Sequence, residues 1–196
     1  AAAAAQACGQ ALLAGGFPHS LRIDTPAGIA VVVEPEEMHR GTAAQGAPWA
    51  SCGVRKDAGD DADATDGALV VARVSLTDTP GTTIEGGAGV GRVTRAGLDQ
   101  PVGAAAINSV PRAMIASQLE RVAREHGWQG GFAVEVSVPG GEEIARKTFN
   151  PRLGIEGGIS ILGTSGIVRP MSEEALVESI RLEMRMRRAQ GLRDLV

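Results

Sequence analysis

Hydrophobic and polar positions alternate with two different periods along this chain. Phe132, Val134, Val136 and Val138 recur at every second residue, which predicts a half-buried strand. The Val-rich run "GALVVARVSL", Gly67 to Leu76, predicts a second, longer strand. "LRIDTPAGIAVVVEP" predicts two short strands around a turn at Pro26-Ala27-Gly28. Helical patterning marks three other segments. Residues 1–14 are alanine-rich, and alanine is the strongest helix former; Gly15-Gly16 closes that run. Ser109 as N-cap and Pro111 in the first turn open a helix that Gly127 ends, with Met114, Leu119 and Val122 on one face. Ser172 is expected to cap a last helix, with Glu173 and Glu174 at its positive end and Arg185, Arg187 and Arg188 near its negative end. Leu176, Ile180 and Met184 form the i, i+4 stripe of that helix and read as core.

Between these elements the pattern is weaker. Residues 35–53 show no period and read as loop. Pro151 breaks the stretch before "ISILGTSGIVRP", an apolar strand interrupted by a Gly-Thr-Ser-Gly turn. Strands and helices are mixed without regular βαβ alternation. The expected class is therefore α+β: a mixed sheet with Gly-rich loops and flanking helices, in one unit over residues 1–196, and not a Rossmann-type fold.

Composition narrows the function classes. In 196 residues the apolar share is 43% and the net charge −4, with two Trp, three Phe and no Tyr. A nucleic-acid groove needs a cationic stripe and stacking platforms, and the chain has neither. Cys8 and Cys52 lack metal-ligand spacing and read as free thiols of a reducing cytosol. No apolar run reaches the ~18 residues of a membrane span, and no signal peptide is visible, so a cytoplasmic location without membrane contact is expected. The chain opens on "AAAAAQACGQ" with no Met and ends on "RAQGLRDLV", which suggests a piece of something longer.

Three sharp motifs fail on their own terms. "KDAGDDADATDG", Lys56 to Gly67, holds five aspartates in twelve residues. A calcium loop counted from Asp61 would place Asp66 where Gly is needed and Ala72 where the bidentate Glu is needed, so no metal site is assigned. "DADAT" has the DxDxT form of an aspartyl phosphatase nucleophile, but the apolar strand follows it instead of preceding it. "EGGAGVGRV" departs from GxGxxG at Arg92 and lacks a Walker Gly-Lys-Ser/Thr end, and "GTSG" is not a nucleophile elbow. What the glycines do offer is close backbone approach to a flat or anionic ligand.

Taken in order, "VRKDAGDDADATDGALV", "IEGGAGVGRVTRAGL", "PVGAAAINSVPRAMI" and "VSVPGGEEIARKTFNPRLGIEGGISILGTSGIVRPMSEEA" resemble the cobalt-precorrin-5B C(1)-methyltransferase family, the CbiD-type enzymes of anaerobic cobalamin biosynthesis. The likeness runs nearly the whole chain and is weakest at residues 35–53. It implies methyl transfer from S-adenosylmethionine to C-1 of a cobalt-bound tetrapyrrole, giving cobalt-precorrin-6A. Cobalt then arrives with the corrinoid substrate, and S-adenosylmethionine is a cosubstrate. The family's Gly/Thr-rich leading segment and its further C-terminal segment are not in this sequence, which points to a fragment, active only poorly or not at all by itself.

The same likeness suggests roles for particular residues. Asp60 and Asp61 are loop carboxylates that either hold local backbone or face the sulfonium, with a catalytic role for one of them as the sharper reading. Lys56, Glu85, Gly87, Gly89, Arg92, Arg95, Arg152, Gly163, Thr164, Ser165 and Arg169 are candidates for substrate binding. The four arginines suit the carboxylates of a corrinoid because a guanidinium forks onto a carboxylate with two bonds. Self-association into a homo-oligomer is compatible with the likeness. The alternatives are a non-catalytic corrinoid-binding fragment or scaffold domain and, independent of the likeness, an Asp-dependent phosphatase.

Overall fold

The computed structural model describes residues 1–44, 46–59, 63–167, 173–189 and 191, with nothing on the side chains of 173–176, 178 and 179. Helix α1 (Ala2–Leu13) leads into the hairpin β1 (Leu21–Asp24) and β2 (Ala30–Val33). Gly28 takes a positive φ of 73° in that turn, where its N–H donates to the Thr25 carbonyl at 2.9 Å. Strands β3 (Glu36–Thr42) and β4 (Pro48–Arg55) follow, then β5 (Leu69–Thr77) and β6 (Gly81–Gly86).

The expectation of loop over 35–53 is overturned by β3 and β4, which pair antiparallel. Period is missing there because glycines stand where side chains of adjacent strands need room. A Cβ on Gly41 would come within 2.7 Å of the Trp49 ring, and one on Gly53 within 2.6 Å of Leu69.

The short strands β7 (Gly89–Val90) and β8 (Arg92–Val93) precede α2 (Ser109–His126). Strand β9 (Gly131–Ser137) is followed by α3 (Gly141–Ala145), β10 (Ile155–Glu156), β11 (Gly158–Ile159) and α4 (Glu173–Ala189). The main sheet has order β3-β4-β5-β9-β6, with β6 parallel to β9 and the other pairs antiparallel. Outside it, β8 pairs with β10 and β7 with β11. This is the expected α+β class with a mixed sheet.

Helices α1 and α2 cover one sheet face. Ala4, Ala5, Ala7, Cys8 and Ala11 of α1 are buried with Ile115 and Leu119 of α2 and with Val74, Val134 and Val136 of the sheet. Small residues let α1 lie close: a Cβ on Gly9 would stand 2.8 Å from Leu119 Cδ2. Each fully buried Leu or Val contributes roughly 1.5–3 kcal/mol. Arg40 of β3 reaches back to the Ala11 and Gly15 carbonyls and so satisfies the end of α1. Cys8 and Cys52 are free, fully buried and 3.6 Å apart at sulfur, and the Cys52 hydrogen bond together with burial pushes the Cys8 thiol pKa far up.

Two helix expectations are corrected. Ser109 is not the cap of α2: Asn108 holds that position, and Asp99 accepts from the Ser109 N–H at 2.7 Å and from its hydroxyl at 2.8 Å. A carboxylate from ten residues upstream thus serves the helix start, where negative charge is favoured. Of the face read for that helix, Leu119 and Val122 are buried, together with Ile115, and Met114 is half-buried. The expected stripe of α4 is not core: Ile180 is 53% and Met184 49% exposed. Met186, about two helical steps from Met184, is buried instead. It does so because Gly97 lets the helix backbone approach; a Cβ there would lie 2.8 Å from Met186 Cα. The expected cap Ser172 and the stripe residue Leu176 lie outside the described positions or side chains. Among the described residues no helix is long and apolar enough to cross a membrane.

Candidate functional site

The sheet face opposite α1 and α2 carries the polar side chains. Alternation fixes this: in β5 the even positions Ala72 and Val74 are buried, so Arg73 and Ser75 point the other way. Register then lines up His39, Ser51, Arg73, Glu135 and Glu85 in one row across all five strands. The next row holds Gly41, Trp49, Ser75, Ala133 and Thr83. A depression of about 280 Å³ opens here, bounded by Arg73, Ser75, Thr83, Glu85, Ala133 and Glu135.

Two charged residues define its walls. Arg73 lies over the Trp49 ring, 4.2 Å from Cζ to the centroid. Glu135 leans the opposite way, onto Gly87; a Cβ there would meet its carboxylate at 2.9 Å. Among the described residues neither the Arg73 nor the Glu135 side chain makes a hydrogen bond or an ion pair, although they are directly opposed across the strands. Sequence reasoning missed both. Their signal was present as the lone charges in "VARVSL" and "FAVEVSV", each on the polar side of an apolar alternation.

Of the expected site residues, Glu85, Gly87 and Arg92 gather at this edge. Glu85 is exposed in the polar row, and its Oε1 is 4.0 Å from Arg92 Nη1. Arg92 also donates to the Gly103 carbonyl at 3.0 Å and stands opposite Glu156 in the β8–β10 pair. Arg95 and Arg152 form a second group by the same ladder: Arg95 donates to the Arg152 carbonyl at 3.2 Å, and the Arg152 guanidinium sits 5.7 Å from the Phe149 ring centroid. Gly163, Thr164 and Ser165 form a third group, against the β1–β2 turn, where the Ser165 carbonyl accepts from Ala27 N–H at 3.1 Å.

Gly89 is accounted for by packing. Its φ is 74°, and a Cβ would overlap the Val138 carbonyl oxygen and approach the Gly141 nitrogen. Gly141 and Gly158 would in turn strike the Gly89 backbone if they carried a Cβ. Three backbone segments therefore touch here without side chains between them.

Lys56 sits apart, half-buried, bonded to Asp63 and, at 2.6 Å, to the Thr65 hydroxyl. Asp63 also accepts from the Thr65 N–H at 2.7 Å. Burial alone would raise the Asp63 pKa, but Lys56 and Thr65 outweigh it and hold the carboxyl below its ordinary value. Asp57 accepts from Gly59 N–H at 2.8 Å and Asp66 from Ala58 N–H at 2.9 Å. The described aspartates of the acidic loop thus bind their own loop. Asp60, Asp61 and Arg169 lie outside the described residues.

Comparison with known proteins identifies the class. A family model described as CbiD matches residues 1–170, and the chain belongs to that family. It is 48% identical over 191 residues to the cobalt-precorrin-5B C(1)-methyltransferase of Ruminiclostridium cellulolyticum, covering 97% of this chain and 48% of that one. With the protein of the same name from Burkholderia cenocepacia the identity is 50% over 192 residues, covering 98% and 52%. With that from Thermoanaerobacter sp. it is 46% over 196 residues, covering 100% and 51%. The chain thus spans about half the length of these curated relatives. The crystal structure of a cobalamin biosynthesis protein (cbiD) from Archaeoglobus fulgidus superposes with a TM-score of 0.61 at 32% identity, over 94% of this chain and 57% of that one.

Proposed function

We propose that this chain is part of a cobalt-precorrin-5B C(1)-methyltransferase, which moves the methyl group of S-adenosylmethionine to C-1 of a cobalt-bound tetrapyrrole in cobalamin biosynthesis. The observation that carries this reading is the 46–50% identity, over 97% or more of the chain, to proteins that bear this name. The non-catalytic scaffold reading has no comparable support. The phosphatase reading has none either, since Asp63 of "DADAT" is engaged by Lys56 and Thr65.

The chemistry asks for alignment more than for acid–base help. An electron-rich ring carbon forms a bond to the methyl carbon as the S–CH₃ bond breaks, and S-adenosylhomocysteine leaves with the electron pair. Holding both partners near ~3–3.5 Å in line is worth several kcal/mol of barrier. Arg92, Arg95 and Arg152 are the described arginines proposed to take the corrinoid's carboxylates. They stand round the β8–β10 ladder, and Arg92 and Arg95 each spend a bond on one backbone carbonyl, which leaves further N–H groups of the fork for a ligand. Of the two roles open to Asp60 and Asp61, holding the backbone of the acidic loop is the one proposed, as the described aspartates beside them do.

The test uses the full-length protein with cobalt-precorrin-5B and methyl-labelled S-adenosylmethionine, followed by mass spectrometry of the corrinoid. One added labelled methyl supports the reading; an unaltered corrinoid, with an authentic relative active alongside, removes it. Arg92→Ala should weaken corrinoid binding by about 1.5–3 kcal/mol. An unchanged dissociation constant in the folded variant would take Arg92 out of the site.

A further inference from the structure

Arg73 and Glu135 carry opposite charges at directly paired positions, yet each is drawn away from the other. Trp49 holds the guanidinium by stacking at 4.2 Å, and the missing side chain of Gly87 makes room for the carboxylate. On a merely solvated sheet face, opposed opposite charges at such spacing attract and pair. Here they frame a depression lined between them by Ala133, Ser75 and Thr83, with Glu85 on the next strand.

The arrangement presents one positive and two negative charges in a row on the exposed side chains of Arg73, Glu135 and Glu85, with the Arg92 guanidinium 4.0 Å from the last of them. Its complement is a ligand with one negative and two positive charges in the same order. S-adenosylmethionine has that pattern at its methionyl end: an α-carboxylate, an α-ammonium on the same carbon, and a sulfonium two methylenes further on. Adjacent strands are about 4.8 Å apart, the reach of those two methylenes when extended. A polycarboxylate corrinoid fits the row poorly, because Glu135 and Glu85 would repel it.

We propose that this depression receives the methionyl end of S-adenosylmethionine, with its carboxylate on Arg73, its ammonium on Glu135 and its sulfonium facing Glu85. The proposal rests on the methyltransferase reading and adds to it the place of the methyl donor, on β5, β9 and the end of β6 and away from the acidic loop. It also explains the glycine at position 87, whose bare backbone lets Glu135 lie flat at the edge of the depression.

Calorimetric titration of the full-length protein, wild type and variants, with three probes tests this. S-adenosylmethionine should bind R73M and E135Q ~10–100-fold more weakly than wild type, the range for a lost charge-assisted bond. 5′-Methylthioadenosine, which lacks the carboxylate and ammonium, should bind all three proteins alike, which also shows that the variants are folded. E85Q should weaken S-adenosylmethionine but leave S-adenosylhomocysteine, a neutral thioether, nearly unchanged. If R73M and E135Q bind S-adenosylmethionine as wild type does while methyl transfer persists, the site is wrong and the methyltransferase reading stands. If the variants lose corrinoid and keep S-adenosylmethionine, the face belongs to the other substrate and the assignment is overturned. A wild-type protein that neither binds the donor nor transfers methyl removes the enzyme reading, and the site with it.

Discussion

Arg73 and Glu135 face each other across β5 and β9 without touching, one laid on Trp49 and the other on Gly87. The sheet thus keeps a separated pair of opposite charges at the centre of its open side. In the ligand-free protein this pair should contribute almost nothing to stability. A double-mutant cycle of R73M and E135Q, read by chemical denaturation, should give an interaction energy below about 0.5 kcal/mol. A coupling above about 1 kcal/mol would mean that the two groups pair in solution and that the depression closes.

Gly87 and Gly89 are two residues apart and should respond very differently to a methyl group. Gly89→Ala combines a positive φ with overlap on the Val138 carbonyl, so it should cost roughly 3 kcal/mol or more. Gly87→Ala meets only the movable Glu135 side chain, so it should cost less than about 1 kcal/mol. Urea denaturation of the two variants decides; equal losses would contradict the packing described for Gly89.

Much of this layout was legible in the sequence. The alternation through Val138 placed β9, the valine run placed β5, and Gly127 closed α2 with its left-handed φ of 66°. The pair β3–β4 was hidden because its packing is non-local. Trp49 fills the space above Gly41, and Leu69 that above Gly53, so neither strand shows a period of its own. The candidate site was half legible for the same reason. Glu85, Gly87 and Arg92 come from a glycine-rich stretch that attracts notice. Arg73 and Glu135 become site residues only through the register of β5 on β9. Likewise Asp99 is invisible as a cap, because it comes from ten residues before Ser109.

That cap carries a pH dependence. Burial would raise the Asp99 pKa, but hydrogen bonds from Gln100 and Ser109 and the charge of Arg112 win and hold it below its ordinary value of 3.8. The stabilisation is therefore full above that value and is lost as pH falls below it, through the folded pKa. Asp99→Ala should cost ~0.5–2 kcal/mol at neutral pH, the range for a lost cap, and flatten the acid limb of the stability curve. Wild type and variant with parallel acid limbs would refute the role of the carboxylate.

On α4 the burial difference sets a contrast. Met186→Ala should destabilise by roughly 2–5 kcal/mol, since it empties a packed position. Ile180→Ser or Met184→Ser, on the exposed side, should stay within about 0.5 kcal/mol. Thermal melts of the protein read this directly, and a reversed order would place the other face of α4 against the fold.

Methyl transfer to one ring carbon, as proposed for the protein that contains this chain, is read from the position of the new methyl. Full-length protein, incubated with cobalt-precorrin-5B and S-adenosylmethionine carrying a ¹³C-methyl group, should yield a corrinoid with one new labelled methyl, assigned to C-1 by NMR. R73M and E135Q should form the same product with a raised KM for the donor. A label at any other carbon, or none in the presence of both substrates, would rule out C-1 methyl transfer by this protein.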